Sequence, residues 1–255
     1  MKKIIALALA MVMALCALSV LAEEKPFTLV MATNAQFPPY EFYDGEEIVG
    51  IDVEIAQAIA NYNSWGFEVK DMEFDSIINE VLNGGATCGM AGMTVTEERK
   101  MQVAFSDSYA TGVQVVIVRE GSEITSVDDL SKGDKKYTIG VQLSTTGDLY
   151  CTWDLEDLGL ATVNRYPSGN EAVMALLTGK VDCVVIDNEP AKAYVAANQG
   201  LTILATEYAV EQYAACFNPK DTETLAKFNE ALQALTQDGT IPAIIAKYIS
   251  TEAAE

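Results

Sequence analysis

The stretch that decides the fold is Met90-Ala91-Gly92-Met93-Thr94-Val95-Thr96-Glu97-Glu98-Arg99-Lys100. Glycine and hydroxyl residues stand where a buried strand should end, and an arginine follows in the first turn of a short helix. Glycine lets a ligand approach the backbone, free helix N–H groups donate hydrogen bonds, and a guanidinium binds a carboxylate with two parallel bonds. The pattern predicts a binding site for a small organic anion. The alternative is an ordinary strand–turn–helix in which Thr96 is an N-cap and Arg99 lies on the surface.

Strands and helices alternate on both sides of this stretch. Before it, residues 27–32 and 67–74 are expected to be strands, and the apolar spacing of Ile51, Ile55, Ile59 and Tyr62 predicts a helix between them. After it, strands are expected at residues 137–141, 181–186 and 213–217, with amphipathic helices between and beyond them. This alternation predicts an α/β fold whose mixed, mostly parallel sheets are flanked by helices.

A faint internal repeat indicates two similar lobes. Residues 82–88 and 177–183 each have a helix end, a glycine and then a strand with a cysteine four residues after that glycine, and in this register Gly92 matches Asp187. Chance similarity is the rival explanation, because helix–glycine–strand is common in α/β proteins. We expect two crossing strands, near residues 109–113 and 209–213, to join the lobes. Lobe I then comprises residues 23–112 and 210–255, and lobe II comprises residues 113–209.

The first 22 residues predict export. Met1-Lys2-Lys3 precedes an apolar run that ends in Val20-Leu21-Ala22, a small-x-small cleavage pattern, and this order is typical of a secretory signal peptide. A membrane anchor is the alternative, since the run is nearly long enough to span a bilayer. Lipidation at Cys16 is a lesser alternative, because Leu15 is not the small residue that such processing needs. The expected location is the periplasm or the outer face of the cell membrane.

Composition excludes several classes of protein. The chain has 16 Lys and Arg against 37 Asp and Glu, and such an acidic surface repels nucleic acid and anionic membranes. The absence of histidine and of any CxxC pair excludes a zinc site and a histidine-based catalytic triad. We therefore predict no metal, no cofactor and no catalytic residue. Export permits disulfides, but buried free thiols are expected at the widely spaced Cys88, Cys151, Cys183 and Cys216.

Several segments, in this order along the chain, resemble one known family. They are Thr33-Asn34-Ala35-Gln36-Phe37-Pro38-Pro39-Tyr40-Glu41-Phe42, Val49-Gly50-Ile51-Asp52-Val53-Glu54, Phe74-Asp75-Ser76-Ile77-Ile78, residues 92–100 with Phe105-Ser106-Asp107, Val141-Gln142-Leu143-Ser144-Thr145-Thr146-Gly147, and Val185-Ile186-Asp187-Asn188-Glu189-Pro190. From residue 27 to residue 249 the chain is similar to the extracytoplasmic amino-acid-binding proteins of bacterial ABC importers. The resemblance implies a two-lobed periplasmic-binding-protein fold of type II that closes over one free amino acid. It also implies a monomer that docks on the permease subunits of an ABC transporter.

The resemblance also implies a role for each of nine residues. Arg99 would bind the α-carboxylate of the ligand, and Asp187 would accept the α-ammonium. Assistance to the carboxylate would come from Thr94, from the backbone of Gly92 and from Thr146. Phe37 and Phe74 would pack on the ligand side chain, while Asn34 and Gln142 would line its far end. The chemistry agrees, because a zwitterion needs one cation, one anion and an apolar clamp.

One departure from the family pattern bears on the ligand. Asn34 stands where several relatives carry an aspartate that holds a cationic side chain, which argues against recognition of lysine or arginine by that route. The pocket candidates are aromatic and neutral-polar, with Glu41 nearby, so a glutamine-like ligand is favoured over an arginine-like one. A second departure is Asn188-Glu189 before Pro190, where some members have one residue fewer.

Most of these residues have a structural alternative. Phe37 and Phe74 could be core residues, Asp187 the N-cap of the helix near Pro190, Asn34 an Asx-turn residue, and Gln142 a surface amide.

Two alternative functions stay open at this point. One is an exported dehydratase-type enzyme on the same scaffold, whose general acid would have to be Glu41, Asp187 or a lysine. The other is a sensory receptor that signals its occupancy to a separate membrane kinase.

Overall fold

The computed structural model describes residues 27–132 and 134–249, so the predicted signal peptide lies outside the described residues. The strands are β1 (Thr28–Thr33), β2 (Gln36–Phe37), β3 (Glu41–Asp44), β4 (Glu47–Val49), β5 (Gly66–Asp71), β6 (Cys88–Gly89), β7 (Ala104–Phe105), β8 (Ala110–Arg119), β9 (Thr138–Gln142), β10 (Thr162–Tyr166), β11 (Cys183–Asp187), β12 (Leu201–Ile203), β13 (Ala209–Tyr213) and β14 (Cys216–Phe217). The α-helices are α1 (Ile51–Tyr62), α2 (Ile77–Leu82), α3 (Glu97–Lys100), α4 (Thr146–Cys151), α5 (Gly169–Leu177), α6 (Asn188–Ala197), α7 (Thr222–Gln237) and α8 (Thr240–Tyr248).

The first lobe is built on a sheet of strand order β5-β1-β6-β14-β7. Strands β5 and β6 lie parallel to β1, whereas β14 runs antiparallel to β6 and β7. The apolar face of α1 packs into the core of this lobe, and Ile51, Ile55 and Ile59 are fully buried, as their spacing predicts. Tyr62 departs from the prediction: it ends α1 and stays half exposed.

The second lobe is built on a sheet of strand order β10-β9-β11-β8-β12. Strands β10 and β11 lie parallel to β9, and β8 runs antiparallel to β11, β12 and β13. Both sheets are therefore mixed and flanked by helices, which confirms the predicted fold class. Their parallel share is smaller than expected, because in each sheet one strand next to a lobe crossing runs against the others: β14 in the first sheet and β8 in the second.

Two adjacent segments carry the chain between the lobes. Strand β13 pairs with β8 along its whole length, and just before β8 the Tyr109 N–H donates to the Tyr213 carbonyl at 3.0 Å. The strand predicted at residues 213–217 is in fact divided: β13 ends at Tyr213 in the second sheet, and β14 begins at Cys216 in the first. Ala214 and Ala215 cross the gap, so no single sheet can hold the whole run.

The lobes have separate apolar cores that meet at one aromatic residue. Phe37, at the end of β2, packs against the core around Tyr40 and Tyr213 and also against the core around Ile186 and Tyr194. The described cysteines are buried free thiols within these cores. Of the helices in residues 27–132 and 134–249, none has the length and apolar character that crossing a membrane requires.

Candidate functional site

A cavity lies where the two lobes meet. The carboxyl ends of four strands, β1 and β6 in the first lobe and β9 and β11 in the second, deliver residues to it. All nine residues singled out from the sequence line this one cavity: Asn34, Phe37, Phe74, Gly92, Thr94, Arg99, Gln142, Thr146 and Asp187. Six further residues complete the lining: Glu41, Ala91, Gln114, Thr145, Ile186 and Tyr213.

Arg99 is held almost entirely out of solvent. Thr96 is the N-cap of α3 and accepts a hydrogen bond from the Arg99 backbone at 3.1 Å, which sets the helix start and aims the side chain. The guanidinium donates to the Thr94 carbonyl at 2.9 Å and to the Ser144 carbonyl of the other lobe at 3.0 Å. Burial lowers its pKa, an effect that the charge of Glu211 opposes. Both described bonds go to neutral carbonyls, so the arginine brings a positive charge that an anionic group can satisfy.

The two predicted aromatic residues occupy different places. Strand β5 ends at Asp71, earlier than expected. Phe74 therefore lies outside the strand and is the first residue of a 3-10 turn, Phe74–Ser76. Its ring lies under the Arg99 guanidinium, 5.4 Å from the guanidinium carbon, an arrangement that favours the cation. Phe37 stacks near Tyr40, with 5.8 Å between ring centroids. The aromatic surface of the cavity is therefore supplied from two sides.

Gly92 allows a close approach inside the cavity wall. Its φ is +52°, a conformation that favours glycine, and a Cβ there would lie 2.7 Å from Cε1 of Phe37. Its backbone N–H donates to Oδ2 of Asp52 at 2.9 Å. The predicted assistance from this backbone must therefore be corrected, because the N–H is already used and only the carbonyl can serve a ligand.

We expect Gly92→Ala to weaken ligand binding by displacing Phe37, beyond the roughly 1–2 kcal/mol of stability that a left-handed alanine costs. Gly84→Ala is the matched control, since Gly84 has φ of +76° and nothing lies within 4 Å of the position that its added methyl group would occupy. Calorimetric affinity and melting temperature together separate the two effects. Equal affinities for the two variants would contradict the role given to the Phe37 contact.

Thr94 and Thr146 face each other across the lobes. Their hydroxyl oxygens are 3.5 Å apart, and both side chains are buried. Thr146 begins α4, and Thr145 caps that helix by accepting from the Asp148 N–H. The Thr94 hydroxyl donates to Oε2 of Glu211 at 3.0 Å, and Gln114 donates to the same oxygen at 3.1 Å. The hydroxyl proton of Thr94 is thus already used in a hydrogen bond to Glu211.

Asn34 and Gln142 form a polar link between the lobes at another part of the wall. The Gln142 amide donates to Oδ1 of Asn34 at 3.0 Å and to the Pro167 carbonyl at 3.2 Å. The Asn34 amide donates to the Met72 carbonyl at 2.9 Å. Both residues are buried, so Gln142 is not a surface amide, and the pair holds the cavity wall together across the two lobes.

Asp187 combines the two interpretations drawn from the sequence. It is the N-cap of α6, where Oδ1 accepts from the Glu189 N–H at 3.0 Å, and it also lines the cavity. Its Oδ2 accepts from the Val113 N–H at 3.1 Å and from the Tyr213 hydroxyl. Burial raises the pKa of Asp187 to about 7, although these three hydrogen bonds act to lower it. An adjacent cation would favour the ionised form.

Two buried carboxyl groups are neighbours at the wall: Glu41, which lines the cavity, and Asp52. Glu41, on β3, is fully buried, and neither of its carboxyl oxygens has a hydrogen-bond partner among the described residues. Burial, followed by the charge of Asp52, raises the pKa of Glu41 well above its ordinary value. Asp52 accepts from the Gly92 N–H and, at 2.7 Å, from the Tyr109 hydroxyl; burial raises its pKa to about 6.

Comparison with known proteins identifies relatives along nearly the whole chain. The family model of the bacterial extracellular solute-binding proteins, family 3, matches residues 29–251. The arginine-binding extracellular protein ArtP of Bacillus subtilis (strain 168) is 32% identical over 226 residues, which cover 88% of this chain and 87% of the relative. An ancestral arginine-binding protein has been solved bound to glutamine and bound to arginine. These two structures are 36% and 37% identical, cover 89% and 88% of this chain and 99% and 98% of their own, and each has a TM-score of 0.81.

Two α/β lobes with a cavity between them are typical of the class of two-lobed solute-binding proteins. The chain belongs to the bacterial extracellular solute-binding proteins of family 3. The resemblance drawn from the sequence motifs is therefore confirmed, as is membership of a family whose members bind solutes for transport.

Proposed function

We propose that this protein binds one free amino acid outside the cell membrane and delivers it to an ABC importer. The observation that carries the proposal is the pairing of a buried arginine from the first lobe with a buried aspartate from the second, both on one cavity. An amino-acid zwitterion presents the complementary pair of charges. The amino-acid ligands of ArtP and of the ancestral protein, named above, support the same class of ligand.

The polar contacts suggest how the backbone of the ligand lies. Its carboxylate would replace neutral partners of the Arg99 guanidinium and receive help from Thr146 at the start of α4. Its ammonium would face Asp187 and the Gly92 carbonyl. Because Arg99 and Asp187 belong to different lobes, the ligand has its full set of contacts only when the lobes are closed. Binding would thus shift the population toward the closed form, the form that a permease could recognise.

The side chain of the ligand would meet Phe37, Phe74 and Glu41. A buried carboxyl whose oxygens accept no hydrogen bond from the described residues favours a side chain that supplies N–H donors, and glutamine and arginine both do so. Glutamine is the candidate that Asn34 favours. Arginine is a second candidate, supported by Glu41, whose ionisation a guanidinium would stabilise.

Titration of the purified protein against the twenty standard amino acids by calorimetry tests the proposal. We expect binding in the micromolar range or tighter to one amino acid or a few related ones. Absence of binding to all twenty below about 1 mM, which is only about 4 kcal/mol of binding free energy, would overturn it.

Glu41→Gln is expected to change the preference between the two candidates. Loss of the carboxylate should weaken arginine binding by about tenfold or more, because a guanidinium would lose its charged partner, and should weaken glutamine binding less. Glu46→Gln, the same substitution at the exposed turn of the same hairpin, is the matched control. Calorimetry with both ligands measures the ratio. An equal loss for both would show that Glu41 does not distinguish side-chain charge.

A further inference from the structure

Glu211 lies under the cavity wall, on the crossing strand β13. It is buried, with 3% of its surface exposed, and it pairs in register with Gly112 of β8. Its Oε2 accepts from Thr94 of the first lobe and from Gln114 of β8, whereas its Oε1 has no hydrogen-bond partner among the described residues. None of the sequence motifs singles out this residue.

The bond between Thr94 and Glu211 has a directional consequence. A threonine hydroxyl has one proton and two lone pairs, and a carboxylate can only accept. While the Thr94 proton points to Glu211, the hydroxyl cannot donate to a carboxylate in the cavity. One lone pair faces the Thr146 hydroxyl at 3.5 Å, and the other is left to accept from a donor in the cavity. The predicted assistance of Thr94 to the ligand carboxylate therefore cannot come from its hydroxyl proton in this geometry.

We propose that Glu211 is a positioning residue, which fixes the Thr94 hydroxyl so that it accepts a hydrogen bond from the α-ammonium of the ligand. The inference rests on the proposed function and deepens it by assigning the recognition of one ligand group to a residue that does not touch the ligand. Gln114 secures the carboxylate from the second side and so holds the acceptor in place. The ammonium is then surrounded by acceptors from both lobes: Thr94 and the Gly92 carbonyl on one side and Asp187 on the other.

Ligands that lack the α-ammonium distinguish positioning from general structural support. The probes are L-arginine and L-glutamine, each compared with its des-amino counterpart, 5-guanidinopentanoate or glutaramate. We expect Glu211→Ala to lower the affinity for the amino acids by about tenfold or more, as for loss of a hydrogen bond to a charged group. The affinity for the des-amino acids should change by less than about threefold. Glu207→Ala, at an exposed position just before β13, controls for the change in net charge and should alter neither.

A double-mutant cycle with Thr94→Val adds an independent readout. If Glu211 acts through the Thr94 hydroxyl, Glu211→Ala should have little further effect in the Thr94→Val background. If Glu211→Ala does not fold, the isosteric Glu211→Gln should show the same selective loss on a smaller scale. Equal weakening of amino acids and des-amino acids, or a full effect in the Thr94→Val background, would overturn the inference. Failure of the parent protein to bind any amino acid would instead overturn the proposed function.

Discussion

Replacing Arg99 by alanine should weaken amino-acid binding by about 3–5 kcal/mol, which is roughly two to three and a half orders of magnitude in the dissociation constant. The reason is the burial of the guanidinium, only 5% exposed, in a wall where its described partners are the Thr94 and Ser144 carbonyls. A ligand carboxylate without this cation would have to leave water for a cavity that still contains carboxyl groups. Calorimetry at neutral pH measures the loss directly.

Lys100→Ala is the matched control for Arg99→Ala. Lys100 is the next residue on α3 and carries the same charge, but it is about half exposed and pairs with Glu97 at 2.8 Å on the surface. Exposed pairs of this kind contribute little, so we expect affinity to change by less than about threefold. Arg99→Lys should recover only part of the affinity, because an ammonium cannot make two parallel bonds. If Arg99→Ala bound as tightly as Lys100→Ala, the assignment of the carboxylate to Arg99 would be wrong.

Arg99 and Asp187 can be recognised as candidate site residues from local signals in the sequence. Arg99 follows an N-cap at the start of a helix, and Asp187 ends a buried strand before a helix, so each stands at a strand–helix junction that the hydrophobic pattern reveals. Because parallel strands deliver their carboxyl ends to one edge of their sheet, the junctions within each lobe can be expected to lie together. The meeting of Arg99 with Asp187 depends instead on how the two sheets face each other. The structure brings all nine residues to one cavity. Their individual ligand roles, like the bounds of the lobes, stay predictions.

The crossing strands carry residues that the hydrophobic pattern does not reveal. In β13 the apolar Val210 is 64% exposed whereas Glu211 is buried, the reverse of the usual apolar-in, polar-out alternation. The inner side of this strand carries Glu211, which accepts hydrogen bonds from two residues of the cavity lining, so hydrophobic periodicity points the wrong way. The pattern also assigns Tyr213 to the following strand, since the run of apolar residues continues across the gap between the lobes.

The burial of Asp52 cannot be predicted from the sequence, for a different reason. Acidic residues are favoured in the first turn of any helix, so an aspartate there carries no signal of its own. Its burial arises from tertiary structure, because the Gly92 turn and the Tyr109 hydroxyl cover it. Contacts between residues that are 40 and 57 positions apart cannot be deduced from the local pattern of one chain.

Asp187→Asn is expected to weaken binding by about 2–4 kcal/mol and to remove much of its pH dependence. In the unliganded protein the pKa of Asp187 is raised to about 7, mainly by burial, and a bound ammonium would lower it. Below pH 7 binding must therefore release a proton, so the affinity of the parent protein should fall as the pH is lowered, by at most tenfold per pH unit for one group. Calorimetry between pH 5 and pH 8 gives the profile, and an asparagine at this position should flatten it.

The stability of the unliganded protein should change with pH in the opposite sense to the affinity: it should fall as the pH rises. A buried acid with a raised pKa stabilises the fold fully below its ordinary pKa near 3.8, and that contribution is lost as the pH rises through about 7. Unliganded Asp187→Asn should thus lack this loss of stability as the pH rises from 5 to 8, and asparagine caps a helix well, so α6 keeps its N-cap. Asp221→Asn is the matched control: Asp221 caps α7 through the Thr224 N–H at 3.2 Å, away from the cavity lining. A parent affinity that does not vary between pH 5 and pH 8, or an equal response in Asp221→Asn, would contradict an ionised Asp187 as the partner of the ligand ammonium.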